Sequence, residues 1–234
     1  MPAIDLQYHA RYNNLPSVLK ANARLLERHD HKDVILKMGK LILDAGLQDT
    51  IAVKLLHRHC NLQSDEIMLE TFEVLEGGRP ALSTVRTISA TVPERVVPSV
   101  WTVGPDGNVN AWEFGGSDNY PIERTFFEVN KPFFQRVCAT ATELETSDLL
   151  GLSLKSNRIV VDRATQELIE VTDEQRGANV VSVYAKQTFD VVNLITTTWD
   201  FSSVVGASCS SCWTNCHQIG SSHEVRHGKT NTSH

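Results

Sequence analysis

The stretch Glu66–Val92, EIMLETFEVLEGGRPALSTVRTISATV, decides how this chain is read. Two runs rich in β-branched and apolar residues flank Gly77-Gly78, and a glycine pair supplies the positive φ that a tight turn needs. The stretch therefore reads as a β-hairpin. A second hairpin follows it: SVWTV (99–103) and NVNAWEF (108–114), joined by Gly104-Pro105-Asp106-Gly107. Pro93 and Pro98 punctuate the link between the two hairpins.

Upstream, the segment IAVKLLHRHCNL (51–62) is short, lies between polar clusters, and reads as a strand. Further back the period becomes helical. Leu15-Pro16-Ser17 looks like a helix start, and Val18, Leu19, Ala23, Leu25 and Leu26 fall on a helical spacing. Val34, Ile35, Met38, Leu41, Ile42 and Ala45 define a second helix, with Gly46 as its stop. Residues 1–14 read as polar and irregular. His29-Asp30-His31 separates the helices and reads as a capping Asp between surface histidines.

Downstream, Glu123–Glu145 reads as helical, with an apolar face of Phe126, Phe127, Phe133, Phe134 and Val137 split by Pro132, and with Cys138 as a buried apolar residue. NRIVVD and ELIEVTD alternate and suggest a hairpin, and Asn179–Phe201 holds further strand-like runs. The order predicts an α+β fold: N-terminal helices, then a mainly antiparallel β-sheet with one interrupting helical segment. Strict strand–helix alternation, Gly-rich dinucleotide loops and Walker loops are absent, which removes the common nucleotide folds.

The last 28 residues, Ala207–His234, differ from the rest. They hold three of the five cysteines and four of the nine histidines, with few apolar residues. Such a segment cannot bury enough surface to fold alone, and a metal ion is the expected organiser. The division expected is a single α+β domain over 1–206 and a Cys/His-rich, metal-binding tail over 207–234. Cys209-x2-Cys212 and His223-x3-His227, with Cys216 between them, have spacings suited to tetrahedral Zn2+. The ten residues between the pairs, and the lack of core residues, separate this tail from a DNA-reading finger. His223-Glu224-Val225-Arg226-His227 matches the HExxH pattern of zinc proteases, but its Gly- and Ser-rich flanks do not suit the helix that pattern needs. Cys212-Trp213-Thr214-Asn215-Cys216-His217 resembles a c-type haem attachment motif with one extra residue between the cysteines. The Cys209–Cys212 spacing also suits a redox pair.

A second candidate site is His57-Arg58-His59. On a strand the two histidines share a face and stand roughly 6.6 Å apart, close enough to converge on one ion. The pairing is similar to histidine pairs on the strands of cupin-like metal sites, which imply a metal and a further Glu about four residues on. Here the nearest are Glu66 and Glu70, which stand as the candidate catalytic bases beside His57 and His59. Trp101 and Trp112 flank the second hairpin turn and could line a pocket, although cross-strand packing is their commoner use.

The charge is uneven: +3 over residues 1–60 (nine Lys/Arg, six Asp/Glu), −10 over 61–206 (11 and 21) and +1 over 207–234 (two and one). The acidic middle argues against a nucleic-acid surface. MPAIDLQYHA lacks the basic and apolar run of a secretory signal, and no stretch approaches the ~20 apolar residues of a membrane helix. The expected location is cytoplasmic, where clustered cysteines serve as metal ligands before they form disulfides. Two function classes follow. One is a metal-dependent enzyme, a hydrolase or lyase, acting on a small molecule with zinc as Lewis acid. The other is a non-catalytic binding module whose tail is a structural zinc clip that docks on the core or on a protein partner.

Overall fold

The computed structural model describes residues 7–91, 95–162, 164–173, 177–186 and 194–202, and the backbone of 212–219 and 222–225. Three helices come first: α1 (Tyr8–Asn13), α2 (Val18–Leu26) and α3 (His31–Asp44). Strands β1 (Ile51–Leu55), β2 (Glu66–Leu75), β3 (Arg79–Ile88), β4 (Val96–Val103) and β5 (Val109–Gly116) follow. Helices α4 (Phe126–Val129) and α5 (Lys131–Glu143) interrupt the sheet, with Pro132 at the start of α5, where its missing N–H costs nothing. The chain then forms β6 (Leu150–Leu154), β7 (Gln166–Asp173), β8 (Ala178–Ala185), β9 (Leu194–Asp200), β10 (Cys212–Ile219) and β11 (Ser222–Val225).

The content is mixed, with few helices and one curled sheet. Its strands close into a barrel in the order β1-β6-β4-β5-β2-β3-β8-β7-β11-β10-β9, and β9 returns to β1. Most neighbours are antiparallel. Among the described residues, β2–β5 and β7–β10 run parallel. Both hairpins form as the turn residues predict, with Gly77, Gly78 and Gly107 at positive φ.

Helices α2, α3 and α5 lie against one outer side of the barrel. Alternate residues of β1, Ile51, Val53 and Leu55, point outward into a core with Val34, Met38 and Ile42 of α3 and Phe134 and Val137 of α5. Trp101 of β4 is fully buried in the same layer, edge-on to Phe127 and Phe134, so it serves packing and does not line a pocket. Gly39 lets α3 settle directly on Phe201, whose ring lies 2.1 Å from where a Cβ would stand.

Three local readings need correction. Within the N-terminal segment read as irregular, Tyr8–Asn13 is helical, because Tyr8 and Tyr12, four residues apart, bury together in a second cluster with Leu56, Ile67, Met68 and Phe114. The run at 157–162 is not a strand; β7 pairs with β8, across a turn that includes Gly177 at φ 61. The strand read over 51–62 ends at Leu55. Beyond it the backbone N–H of Leu56 still donates to Leu149 O (2.9 Å) in register with β6, whereas that of Arg58 donates to Pro16 O (2.9 Å), which turns the chain off the ladder.

Candidate metal centre

The even residues of β1, Ala52 and Lys54, point into the barrel, where a cavity of about 550 Å³ lies. Glu70 of β2, Glu113 of β5, Tyr120 and Glu170 of β7 share its wall with Lys54. The segment that leaves β1 carries His57 and His59 to the same end of the barrel, and both are buried. Helix α1 clamps that segment. Arg58 donates to the Asn13 and Leu15 carbonyls (2.9 and 2.7 Å), and Asn13 holds both the N–H and the C=O of Leu62. The His59 N–H donates to the Tyr12 hydroxyl (3.1 Å). So the tyrosine helix missed in the sequence fixes the histidines found there.

His57, His59 and Glu170 form a group whose ligand atoms all lie within 4.8 Å of one another, and all three are buried. The His57 Nδ1–H donates to Leu55 O (2.9 Å), which leaves Nε2 as a lone pair. That Nε2 stands 3.9 Å from Glu170 Oε1, and neither atom has a hydrogen-bond partner among the described residues. Burial, then His59, holds the His57 imidazole down at about 3, so it is neutral and the contact is not an ion pair. Glu170 is a carboxylate. Burial alone would raise it, but Lys54, His59 and His57, with a hydrogen bond from Asn179, hold it at about 2. Two buried electron-rich atoms therefore face each other without a donor between them.

His59 completes the arrangement. Its Nε2 lies 3.0 Å from Glu113 Oε1. Burial pushes the Glu113 carboxyl up, but His59 and Lys54 outweigh this and hold it below the usual carboxylate range, so Nε2 carries the proton and donates. In the neutral ring Nδ1 is then a lone pair, 3.5 Å from Glu170 Oε1. Two ligands that share a tetrahedral ion at bond lengths of about 2.0–2.2 Å stand about 3.3–3.6 Å apart. Each imidazole has its other nitrogen held by a carbonyl or a carboxylate, the outer support that metal-binding histidines use. The group could hold a metal ion.

The remaining sequence candidates are spread out. Glu70 lines the cavity and accepts a hydrogen bond from the Tyr120 hydroxyl. Burial pushes its carboxyl up to about 7, with Glu113 adding to the shift and Tyr120 opposing it. Glu66 is not brought to this site; its carboxylate accepts from the Gln63 N–H (2.8 Å) at the turn into β2. Cys209 and His227 lie outside the described residues. Cys212 and Cys216 fall on β10 and His223 on β11, and the backbone register sets Cys216 beside Glu170.

Sequence reasoning missed Glu170, Glu113, Lys54 and Tyr120. Glu170 sits in ELIEVTD, where both strand faces carry an apolar residue, so parity alone does not tell which face is inside. Compared with protein-family models, with curated proteins and with solved structures, the chain matches none of them. Among the described residues no helix is long and apolar enough to cross a membrane.

Proposed function

We propose that this protein is a metal-dependent enzyme, with zinc as the expected ion, that takes a small molecule into the barrel. The observation that carries the reading is the convergence of His57 Nε2, His59 Nδ1 and the cavity-lining Glu170 Oε1, with His57 Nε2 and Glu170 Oε1 lacking a hydrogen-bond partner among the described residues. Neutral imidazole and carboxylate suit zinc and its first-row neighbours. An ion there would supply Lewis-acid polarisation to a group bound in the cavity. Glu70, on the same cavity wall and hydrogen-bonded to Tyr120, has the position and the near-neutral protonation balance of a general acid–base group.

Elemental mass spectrometry on protein purified without chelator or affinity tag tests the reading. One equivalent of ion in the wild type, none in His57→Ala or Glu170→Gln, and a full equivalent in a Cys209→Ser, Cys212→Ser, Cys216→Ser variant is the expected pattern. Ion retained by the histidine and Glu170 variants and lost from the cysteine variant would move the site to the tail and favour the structural zinc clip. Substitution is preferred to removal of 207–234, because β10 pairs with β9 and β7 and its loss would open the barrel.

A further inference from the structure

We infer that the cavity selects an organic cation: the protonated amine of a small molecule, held against Glu70 with Glu113 and Ser99 beside it. The inference deepens the enzyme reading by naming its substrate class. It rests on that reading only for the ligand's being a substrate, since the binding described does not need the ion.

The wall holds more acids than bases. Its carboxylates are Glu70, Glu113, Glu167, Glu170 and Asp200. Its lysines are Lys54, Lys155 and Lys186, and each already has a partner. Lys54 meets Glu170 at 3.8 Å, Lys155 meets Asp200 at 2.9 Å, and Lys186 donates to the Ala164 carbonyl at 3.1 Å. Glu167 and Lys186 both stand at the Gln166 end and offset each other in the sum. That leaves Glu70 and Glu113. The hydrogen bonds they accept come from neutral groups, the Tyr120 hydroxyl and the His59 imidazole. A divalent ion at the histidines would bring the total charge of the wall to zero, but it would meet Glu113 only through the His59 ring. Glu70 is not among the groups whose ligand atoms converge there.

The strands bring the acceptors together. Glu70 of β2 lies opposite Gly115 of β5, and Glu113 is two residues back on the same face. A Cβ at Gly115 would stand 2.8 Å from the Tyr120 hydroxyl oxygen, so the bare backbone there is what lets Tyr120 reach Glu70. Across β5, β4 steps out of register, with Pro98 opposite Phe114 and Val100 opposite Glu113, and Ser99 falls at the step. Ser99 Oγ is buried, lines the cavity and lies beside Tyr120, yet it makes no hydrogen bond of normal geometry among the described residues. Burial pushes the Glu70 carboxyl up to about 7; Tyr120 and Lys54 oppose the shift without cancelling it, and Glu113 and Glu170 add to it. An ammonium, with three donors and no acceptor, supplies the counter-charge that Glu70 lacks in contact and a donor for Ser99. An incoming anion would face the same carboxylates and find each lysine already engaged. A volume of about 550 Å³ leaves room for the rest of a small molecule.

The test is isothermal titration calorimetry of the full chain, above the Glu70 value of about 7 so that its carboxylate is ionised, with hexylamine, hexan-1-ol and hexanoate. These probes share a chain and differ in charge. Hexylamine should bind at least about tenfold more tightly than either of the others, the strength of hydrogen bonds to a charged group. Glu70→Gln should remove that preference and leave hexan-1-ol affinity as in the wild type. Ser99→Ala, which keeps Glu70, should weaken hexylamine about threefold or more. Should Glu70→Gln fail to fold, the Ser99→Ala result decides, and an unchanged hexylamine affinity counts against the inference. No measurable hexylamine binding, equal affinity for the three probes, tighter binding of hexanoate, or an amine preference that survives Glu70→Gln would overturn it. Each titration is repeated after chelator treatment, with metal content read on the same samples. A preference for hexylamine that vanishes with the ion would place the amine nitrogen on the metal, which upholds the metal reading and overturns this one. A preference that persists in protein holding no ion upholds this inference independently of the metal reading.

Discussion

The outward side chains of β1 (Ile51, Val53 and Leu55) and its inward ones (Ala52 and Lys54) are one residue apart and live in opposite surroundings. The outer ones pack against apolar groups from α3 and α5. The inner ones face a cavity lined by Glu70, Glu113, Glu167, Glu170, Asp200, three lysines and Tyr120. Where β1 ends, the chain delivers two histidines to the inner side. The outer face is built as a protein core is built, by volume and shape. The inner face keeps polar groups buried at a cost in stability, and several stand in contact: Lys54 with Glu170, His59 with Glu113, Tyr120 with Glu70. Buried polarity of this kind, set around empty volume, marks a candidate site.

This contrast can be broken or sharpened by substitution. The largest effect belongs to the outer layer. Trp101→Ala should lower unfolding free energy by about 3–5 kcal/mol in chemical denaturation, without altering the ion stoichiometry of the protein that remains folded. Glu170→Gln should do the reverse: it abolishes ion binding, and with chelator present it shifts the denaturation midpoint less than Trp101→Ala does. If both substitutions cost the same stability and neither touches ion content, the two faces do not differ as described. Gly39→Ala comes next. In an ordinary helix the alanine would be favoured, but here its Cβ would overlap Phe201, and overpacking should cost about 1–3 kcal/mol.

A smaller effect is expected from pH. Glu70 has its folded value at about 7, above the ordinary 4.5. Between those values the folded chain keeps a proton that the unfolded chain has released, so wild-type stability should fall as pH rises from about 4.5 to 7. Glu70→Gln should lack that fall, so its midpoint should gain on the wild type across the window and run parallel to it above. A gap between the two that stays constant over that range would contradict the assignment. The smallest effect should come from Arg24→Ala, which removes an exposed pair with Asp148 and should change stability by under about 1 kcal/mol.

What the sequence made legible was local. The spacing of Val34, Ile35, Met38 and Ile42 gave α3, and the glycines at 77, 78 and 107 gave the two hairpins, because both signals depend on near neighbours. Barrel closure was not legible, since β1 meets β6 about a hundred residues later and β3 meets β8 equally far on. That closure decides which strand face is inside, so it also decides that Lys54, Glu113 and Glu170 are site residues. His57 and His59 could be found because two histidines at close spacing are rare enough to notice. Their third partner could not, because one glutamate in ELIEVTD looks like any solvated strand acid. The N-terminal helix escaped for a related reason: Tyr8 and Tyr12 carry its burial within an otherwise polar run.

The central claim is that one ion is held by His57, His59 and Glu170 inside the barrel. Its most direct test is anomalous X-ray diffraction at the zinc absorption edge from crystals of the full chain grown with equimolar zinc. The account predicts an anomalous peak bounded by His57 Nε2, His59 Nδ1 and Glu170 Oε1. Zinc found on the tail cysteines with no peak between the histidines, or no ordered zinc at all, would contradict it.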